Sequence, residues 1–409
     1  VRIVLLNQYY APDSAATAQI LSDLGAGLAG AGNEVTAICC KRAYGDPALS
    51  YGAREVIDGV RVERTWSTAF GRGSALGRVS DYLTYLLGAA ARLAFGKRPD
   101  VIVSLSTPPM VAALGHVLAR LRRARSIYWV MDVYPDLAFE LGVMRPGSFA
   151  GRCFRALSEF TLRRSDAVVA LGETMGSRLA RVRGSEPTVV HNWADGDTIR
   201  PRGNEGHALR AEWGWNGRFV VLYSGNMGLA HEFGTVLDAA ESLRERSDVG
   251  FAFVGSGPRR AEVEARVGER GLANVEFLPY QPRERLGESL TAGDVHLVTL
   301  RERMAGLLVP SKIYGILAAG RPTVYVGPDE GEIADILRSG ACGTRVAPGD
   351  RDGLVAALLR YAEDEELRAA HGRNARRLFE ERFTREHGVQ AFGRLIESQA
   401  SRAGQTRAR

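Results

Sequence analysis

The sequence predicts an α/β protein made of two Rossmann-like doubly wound domains facing across a cleft. Three observations predict it. A length of 409 residues exceeds what one ordinary core serves, so two domains of about 200 residues are expected. Short apolar, β-branched stretches alternate with helical patterns in two separate runs, the arrangement of parallel sheets with crossover helices. Many of the 47 glycines stand just after those apolar stretches, where strand-to-helix turns need them.

The first run opens with a strand at Val1–Leu6 and a helix at Ala18–Ala31. Glu34–Cys40, Val60–Thr65 and Val101–Leu105 read as strands, and Pro109–Leu121 as a helix. Ser126–Met131 is a continuous apolar run of the kind buried in a parallel sheet. Ser148–Arg164 reads as a helix, and Ala167–Leu171 and Thr188–Val190 complete the set. From Asp195 to Trp215 the chain is polar, with Pro201, Gly203 and Asn204, and reads as a linker. Alternation then restarts. Strands are expected at Phe219–Tyr223, Phe251–Val254, Val275–Phe277, Val295–Leu300, Thr323–Val326 and Gly343–Val346. Helices are expected at Thr235–Arg246, Ser311–Ala319, Arg351–Tyr361 and Glu365–Glu381. The expected division is 1–197 and 216–385 for the domains, 198–215 for the linker and 386–409 for a C-terminal helix or tail.

Bulk properties exclude several classes. At 45% hydrophobic and 24% charged the chain is globular rather than disordered. Cys39, Cys40, Cys153 and Cys342 form no CxxC or His/Cys cluster, which argues for no metal and for a reducing, cytoplasmic setting. The chain starts on Val1 and shows no secretory pattern. Tyr82–Phe95 is too short to span a bilayer and carries Arg92; Val101–Leu121 is broken by Pro108-Pro109 and carries Arg120. The net charge of +6 concentrates in the first half. On the helix expected from Ser148, Arg152, Arg155 and Arg163 share one face with Glu159, while Phe149, Cys153, Leu157 and Phe160 line another. Two readings stand: a solvated face on a helix packed to the core, or a basic surface for anionic lipid. No nucleic acid is expected, because no aromatic-interleaved basic motif appears.

The motifs lie at expected strand ends. Phe219–Tyr223 runs into Ser224-Gly225-Asn226-Met227-Gly228, and the next strand into Gly255-Ser256-Gly257-Pro258. Both are plain turns or phosphate cradles. Pro310-Ser311-Lys312 opens a helix that continues through Tyr314. Lysine has the wrong sign for a helix start, and a bound diphosphate would remove that penalty. In the first half, Ser14-Ala15-Ala16 permits close approach of a ligand or forms a capped turn. Asp132 ends the apolar strand, as a carboxylate facing the cleft or as a cap for the next helix; Asp136 and Glu140 read as structural.

Four pieces in order resemble the family 4 glycosyltransferases, retaining enzymes of the GT-B fold. They are Tyr9-Tyr10-Ala11-Pro12 with its small-residue loop, Val190–Asp195, Gly255-Ser256-Gly257-Pro258, and Pro310-Ser311-Lys312 leading to Ala319-Gly320-Arg321-Pro322. Pro-Ser-Lys with Asp132-Val133-Tyr134-Pro135 is similar to the branch serving bacterial O-antigen, capsule and exopolysaccharide assembly. The chain departs from the wider family at Asn226 and His231, where an Arg and a Lys are common, and at Leu307 and Gly315, where paired glutamates are common. Ala15-Ala16 replaces the usual Gly-Gly.

The resemblance implies transfer of a sugar from a nucleotide-sugar donor, UDP-linked in this branch and often N-acetylated or deoxy. It implies a lipid-linked or saccharide acceptor, retention, no metal and no cofactor. Lys312, Ser311, Tyr314, Arg301 and the Gly225-Asn226-Gly228 and Gly255-Gly257 turns would hold the nucleotide sugar, with Tyr280 at the base or ribose. Asp132 would hold a sugar hydroxyl, stabilise positive charge at the anomeric carbon, or orient the acceptor hydroxyl; Ser14–Ala16 would line the acceptor side. The basic first domain would sit on an anionic membrane surface at the cytoplasmic face. Competing readings are a nucleotide-sugar 2-epimerase of the same fold and a non-catalytic two-domain sugar-binding protein.

Overall fold

The computed structural model describes residues 1–44, 49–68, 70 and 75–408, with side chains for all of these but 75 and 403–408. Two compact units result: Val1–His191 with Arg385–Arg409, and Asn192–Thr384.

The first unit carries β1 (Arg2–Leu6), β2 (Glu34–Cys40), β3 (Arg54–Ile57), β4 (Val60–Thr65), β5 (Val101–Ser104), β6 (Arg125–Trp129), β7 (Ala167–Ala170) and β8 (Thr188–Val189). Their order is β3-β4-β2-β1-β5-β6-β7-β8. The winding reverses between β1 and β5, which makes that pair the switch point where ligands of such sheets bind. Every residue of β5 and β7 is buried, as expected of strands covered on both faces. Only β3 runs antiparallel, against β4. It escapes a search for apolar runs because it is only four residues long, opens with Arg54-Glu55 and is largely exposed. Its signal is Asp58-Gly59, whose φ values of 47° and 78° suit a two-residue hairpin turn.

The C-terminal segment is not a tail. Helix Arg385–Ala408 packs on helix Ala16–Gly30 and on β5 and β6. Phe392 is fully buried with its ring 4.4 Å from that of Trp129, and Ile396 is buried behind it. Gly27 leaves the room that Val389 fills. The polar composition of this helix hid the spacing of Val389, Phe392 and Ile396, which is that of one buried face.

A second correction concerns helix Phe149–Arg164. Its buried positions are Gly151, Thr161 and Leu162, while Phe149, Cys153 and Phe160 are exposed. Only Leu157 of the expected core line is half-buried.

The second unit carries β9 (Phe219–Ser224), β10 (Val249–Val254), β11 (Val275–Leu278), β12 (Val295–Thr299), β13 (Thr323–Val326) and β14 (Gly343–Val346). The order is β11-β10-β9-β12-β13-β14, parallel throughout. The switch point lies between β9 and β12. The expected linker at 198–215 belongs to this unit: it contains helix Ala208–Glu212, and Ile199, Leu209 and Trp215 are buried. Arg210 explains why a polar stretch packs. Its guanidinium is buried, pairs with Asp294 at 3.0 Å and donates to the carbonyls of Ala292 and Trp215 at 2.7 and 3.0 Å. Asp294 in turn accepts from the Val220 amide at 2.8 Å. A buried charge is tolerable only when its donors are satisfied in this way.

Candidate functional site

At the second switch point, β9 ends in Gly225 with φ 128°, and β10 ends in Gly255 and Gly257 with φ 139° and 147°. Side chains rarely adopt such values. The two turns also interlock. A Cβ on Gly255 would collide with the Gly225 carbonyl oxygen, and one on Gly257 would lie 2.5 Å from Asn226 Oδ1. The Gly225 amide donates to Val254 O at 2.9 Å and the Met227 amide to Ser256 O at 2.7 Å. These amides are engaged by the fold, which corrects the expectation that the whole 225–228 turn presents its N–H groups to phosphate.

Lys312 enters from helix Lys312–Ala318 and reaches this turn. Its Nζ lies 3.5 Å from the centroid of the Tyr223 ring, and a Cβ on Gly225 would stand 3.7 Å from it. The ammonium is buried with no hydrogen-bond partner among the described residues. Burial holds its pKa well below the ordinary lysine value. A cation over a ring gains about 2 kcal/mol at best, whereas an uncompensated buried ion costs several. The penalty wins, so the site favours an incoming anion. Ser311 is exposed and makes no capping hydrogen bond.

Two further residues complete the arrangement, and sequence reasoning did not single them out as functional. His231 donates from Nδ1 to the Thr299 carbonyl at 2.6 Å, which leaves Nε2 with its lone pair. Burial, reinforced by Lys312, Arg259 and Arg301, pushes its pKa down to about 3, so the ring is neutral. Arg259 donates through its backbone to Met227 O at 3.1 Å and through its side chain to His231 O at 2.6 Å. It ties the loop after β10 to the loop after β9. Its signal in the sequence is its place directly behind Gly255-Ser256-Gly257-Pro258.

The other expected residues divide. Arg301 sits at the end of β12, anchored by its amide to Ala230 O at 2.9 Å, with its side chain partly exposed. Tyr280 is 54% exposed after β11. Tyr314 is fully buried, its ring 5.3 Å from that of Phe383. That packing makes Tyr314 a core residue and corrects its assignment to the nucleotide.

In the first unit, the amides of Met131 and Asp132 both donate to Ser106 Oγ at 3.2 Å. This ties the turn after β6 to the loop after β5. Helix Asp136–Glu140 has no side-chain cap, so capping it is not the role of Asp132. Burial pushes the Asp132 pKa up to about 6. Asp136 pairs with Arg178 at 3.1 Å. In the small-residue loop, Ser14 and Ala16 are exposed and Ala15 is buried. Asp13 shapes that loop by accepting from the amides of Ala15 and Tyr44 at 2.9 and 2.8 Å.

The chain matches the family description "Glycosyl transferase 4-like domain" over residues 16–193 and "Glycosyl transferases group 1" over residues 207–378. It is 30% identical over 265 residues to a probable glycosyltransferase, WbjE, of Pseudomonas aeruginosa, covering 63% of this chain and 65% of the relative. It is 28% identical over 270 residues to the putative colanic acid biosynthesis glycosyl transferase WcaI of Escherichia coli, covering 64% and 66%. The match thus spans slightly less than two thirds of either relative. Among solved structures, Anabaena HepE in complex with UDP superposes with a TM-score of 0.72 at 16% identity, over 97% of this chain and all of that one. The chain belongs to the glycosyltransferases that pair a 4-like N-terminal domain with a group 1 C-terminal domain.

Proposed function

We propose that this protein transfers a hexosyl or N-acetylhexosaminyl group from a UDP-linked donor to a lipid-linked or polysaccharide acceptor, with retention and without metal. The observation that carries the reading is the buried, unpartnered ammonium of Lys312 against the Gly225 turn at the second switch point. As the bond from the anomeric carbon to the diphosphate breaks, negative charge gathers on the leaving nucleotide. Lys312 meets that charge where water is excluded, a contribution of about 3–4 kcal/mol by analogy with single oxyanion donors. Arg301 and the amides of Asn226 and Gly228 add polar contacts. Asp132, ionised above pH of about 6, accepts a hydrogen bond from a hydroxyl of the sugar or the acceptor. The UDP held by the solved neighbour supports the choice of base. The assignment of WcaI to colanic acid biosynthesis supports a polysaccharide acceptor, reached at the cytoplasmic face of a membrane through the basic first unit.

The test is metal-free titration with UDP, GDP and ADP, followed by melting temperature. UDP at 100 times its dissociation constant stabilises by about 2.7 kcal/mol, and Lys312→Ala removes that shift. If no nucleotide moves the melt of the wild-type protein, the transferase reading fails.

A further inference from the structure

Beyond the carboxyl ends of β5 and β6, the first unit leaves a small cavity between two packed helices. One is helix Val111–Leu121, which follows the loop after β5; the other is helix Phe149–Arg164. The cavity measures about 20 Å³, room for about one water-sized group. Tyr128 near the end of β6 and Tyr134 beyond it line the space together with Phe154. The rings of Tyr134 and Phe154 stack with centroids 6.2 Å apart and planes 21° from parallel. Ala112, Ala113 and Thr161 also line it and are buried, so the room exists because these side chains are short. Met110 lines the open side, 38% exposed, with φ at 79°. A bulky residue rarely holds that conformation, and such strain gathers at ligand sites.

The lining selects the occupant. A trapped water needs roughly two to four polar partners, and the two lining hydroxyls have already given their protons away. Ser158 Oγ donates to the Tyr134 carbonyl and Thr161 Oγ1 to the Leu157 carbonyl, both at 2.7 Å. The other lining residues are aromatic, aliphatic or proline. A methyl group fills the same room and asks for no partner.

Asp132 stands beside this cavity. It lies in the turn between the two lining tyrosines, its carbonyl accepting from the Tyr134 amide at 3.1 Å. Burial first, and Asp132 next, push both phenols above their ordinary pKa, so the carboxyl is close enough to act on them.

We infer that the first unit recognises an acceptor sugar by an acetamido group, whose methyl enters this cavity while a ring hydroxyl meets Asp132. Ser158 Oγ, its own proton already donated, keeps lone pairs for the amide N–H, and the tyrosine phenols can donate to the amide carbonyl. A 6-deoxy sugar brings a methyl but no amide to meet these groups. The inference deepens the proposed transfer and rests on it in one respect, that the first unit binds the acceptor.

The experiment is saturation-transfer NMR on the full chain with UDP present. The probes are methyl β-N-acetylglucosaminide, methyl β-glucoside and methyl α-fucoside. The acetyl methyl should be the most strongly saturated signal, and the N-acetyl sugar should bind about 10–200-fold more tightly than the glucoside. Ala113→Val closes the cavity and brings the two dissociation constants together, while the UDP-induced melting shift stays. Should that variant melt below wild type, the N-propionyl analogue serves instead with the wild-type protein. Its extra methylene exceeds the cavity, so it binds more weakly than the N-acetyl sugar. Equal affinity for N-acetyl sugar and glucoside overturns the inference, as does tighter binding of the fucoside or the N-propionyl analogue. A silent acetyl methyl, or no saturation of any sugar, overturns it too. Any of these together with a UDP-induced shift leaves the transfer reading intact. Acetyl discrimination without a UDP-induced shift keeps the cavity assignment and breaks the transfer reading instead.

Discussion

The two units wind parallel sheets by the same logic and fill their switch regions with opposite chemistry. In the second unit a lysine ammonium is buried over Tyr223 with no hydrogen-bond partner among the described residues. In the first, burial pushes the pKa of the Asp132 carboxyl up to about 6. The outer surfaces also differ: the first unit exposes apolar stripes edged by arginine, whereas the large exposed hydrophobics of the second, among the described residues, are Leu229 and Tyr280. A common fold therefore supplies position and leaves the chemistry to a few residues at strand ends. A group with a high desolvation cost and no internal partner marks where a ligand completes the protein.

Three substitutions sharpen or break this comparison. Phe392→Ala empties the contact with Trp129 and costs the first unit about 3–5 kcal/mol. Denaturant unfolding should show that loss while UDP still shifts the second unit. An undisturbed first unit would remove helix Arg385–Ala408 from its core.

Gly255→Ala tests the interlocked turns. Its Cβ meets the Gly225 carbonyl, and φ stands at 139°. The expected loss is about 2–4 kcal/mol, together with weaker UDP binding, because Gly225 is the floor beneath Lys312. A variant with wild-type stability and UDP affinity would mean the turn relaxes freely.

Asp132→Asn should give the smallest effect and the clearest sign. The folded pKa of about 6 stands above the ordinary value of 3.8. The stability linked to this group is therefore full below the ordinary value and lost as pH rises through about 6. At pH of about 8 the variant should melt above wild type, and the gain should vanish near pH of about 4. Transfer by the wild type should fall on acidification through about 6, a limb the variant lacks. An acid limb that survives in the variant assigns the titration to another group.

Most parallel strands were legible because burial on both faces imposes a continuous apolar run, as in Val101–Ser104 and Val295–Thr299. The paired glycine turns stood out through their place at strand ends, and Lys312 as a cation at a helix start. Arg259 and His231 were not, because each looks like an ordinary polar loop residue until three separate loops are brought together. Tyr314 misled in the other direction: lying two residues beyond Lys312 says nothing about which way its ring points.

The sequence by itself determined the two doubly wound units, the glycine turns at strand ends and the lysine at a helix start, since period, glycine and charge are local properties of the chain. The tertiary structure alone decided that the last helix completes the first unit, that 198–215 is locked to the second through Arg210 and Asp294, and that the stripe from Leu76 to Leu87 faces outward. Burial is a property of what lies opposite a residue, and an apolar stripe has the same spacing whether a core or a solvent awaits it.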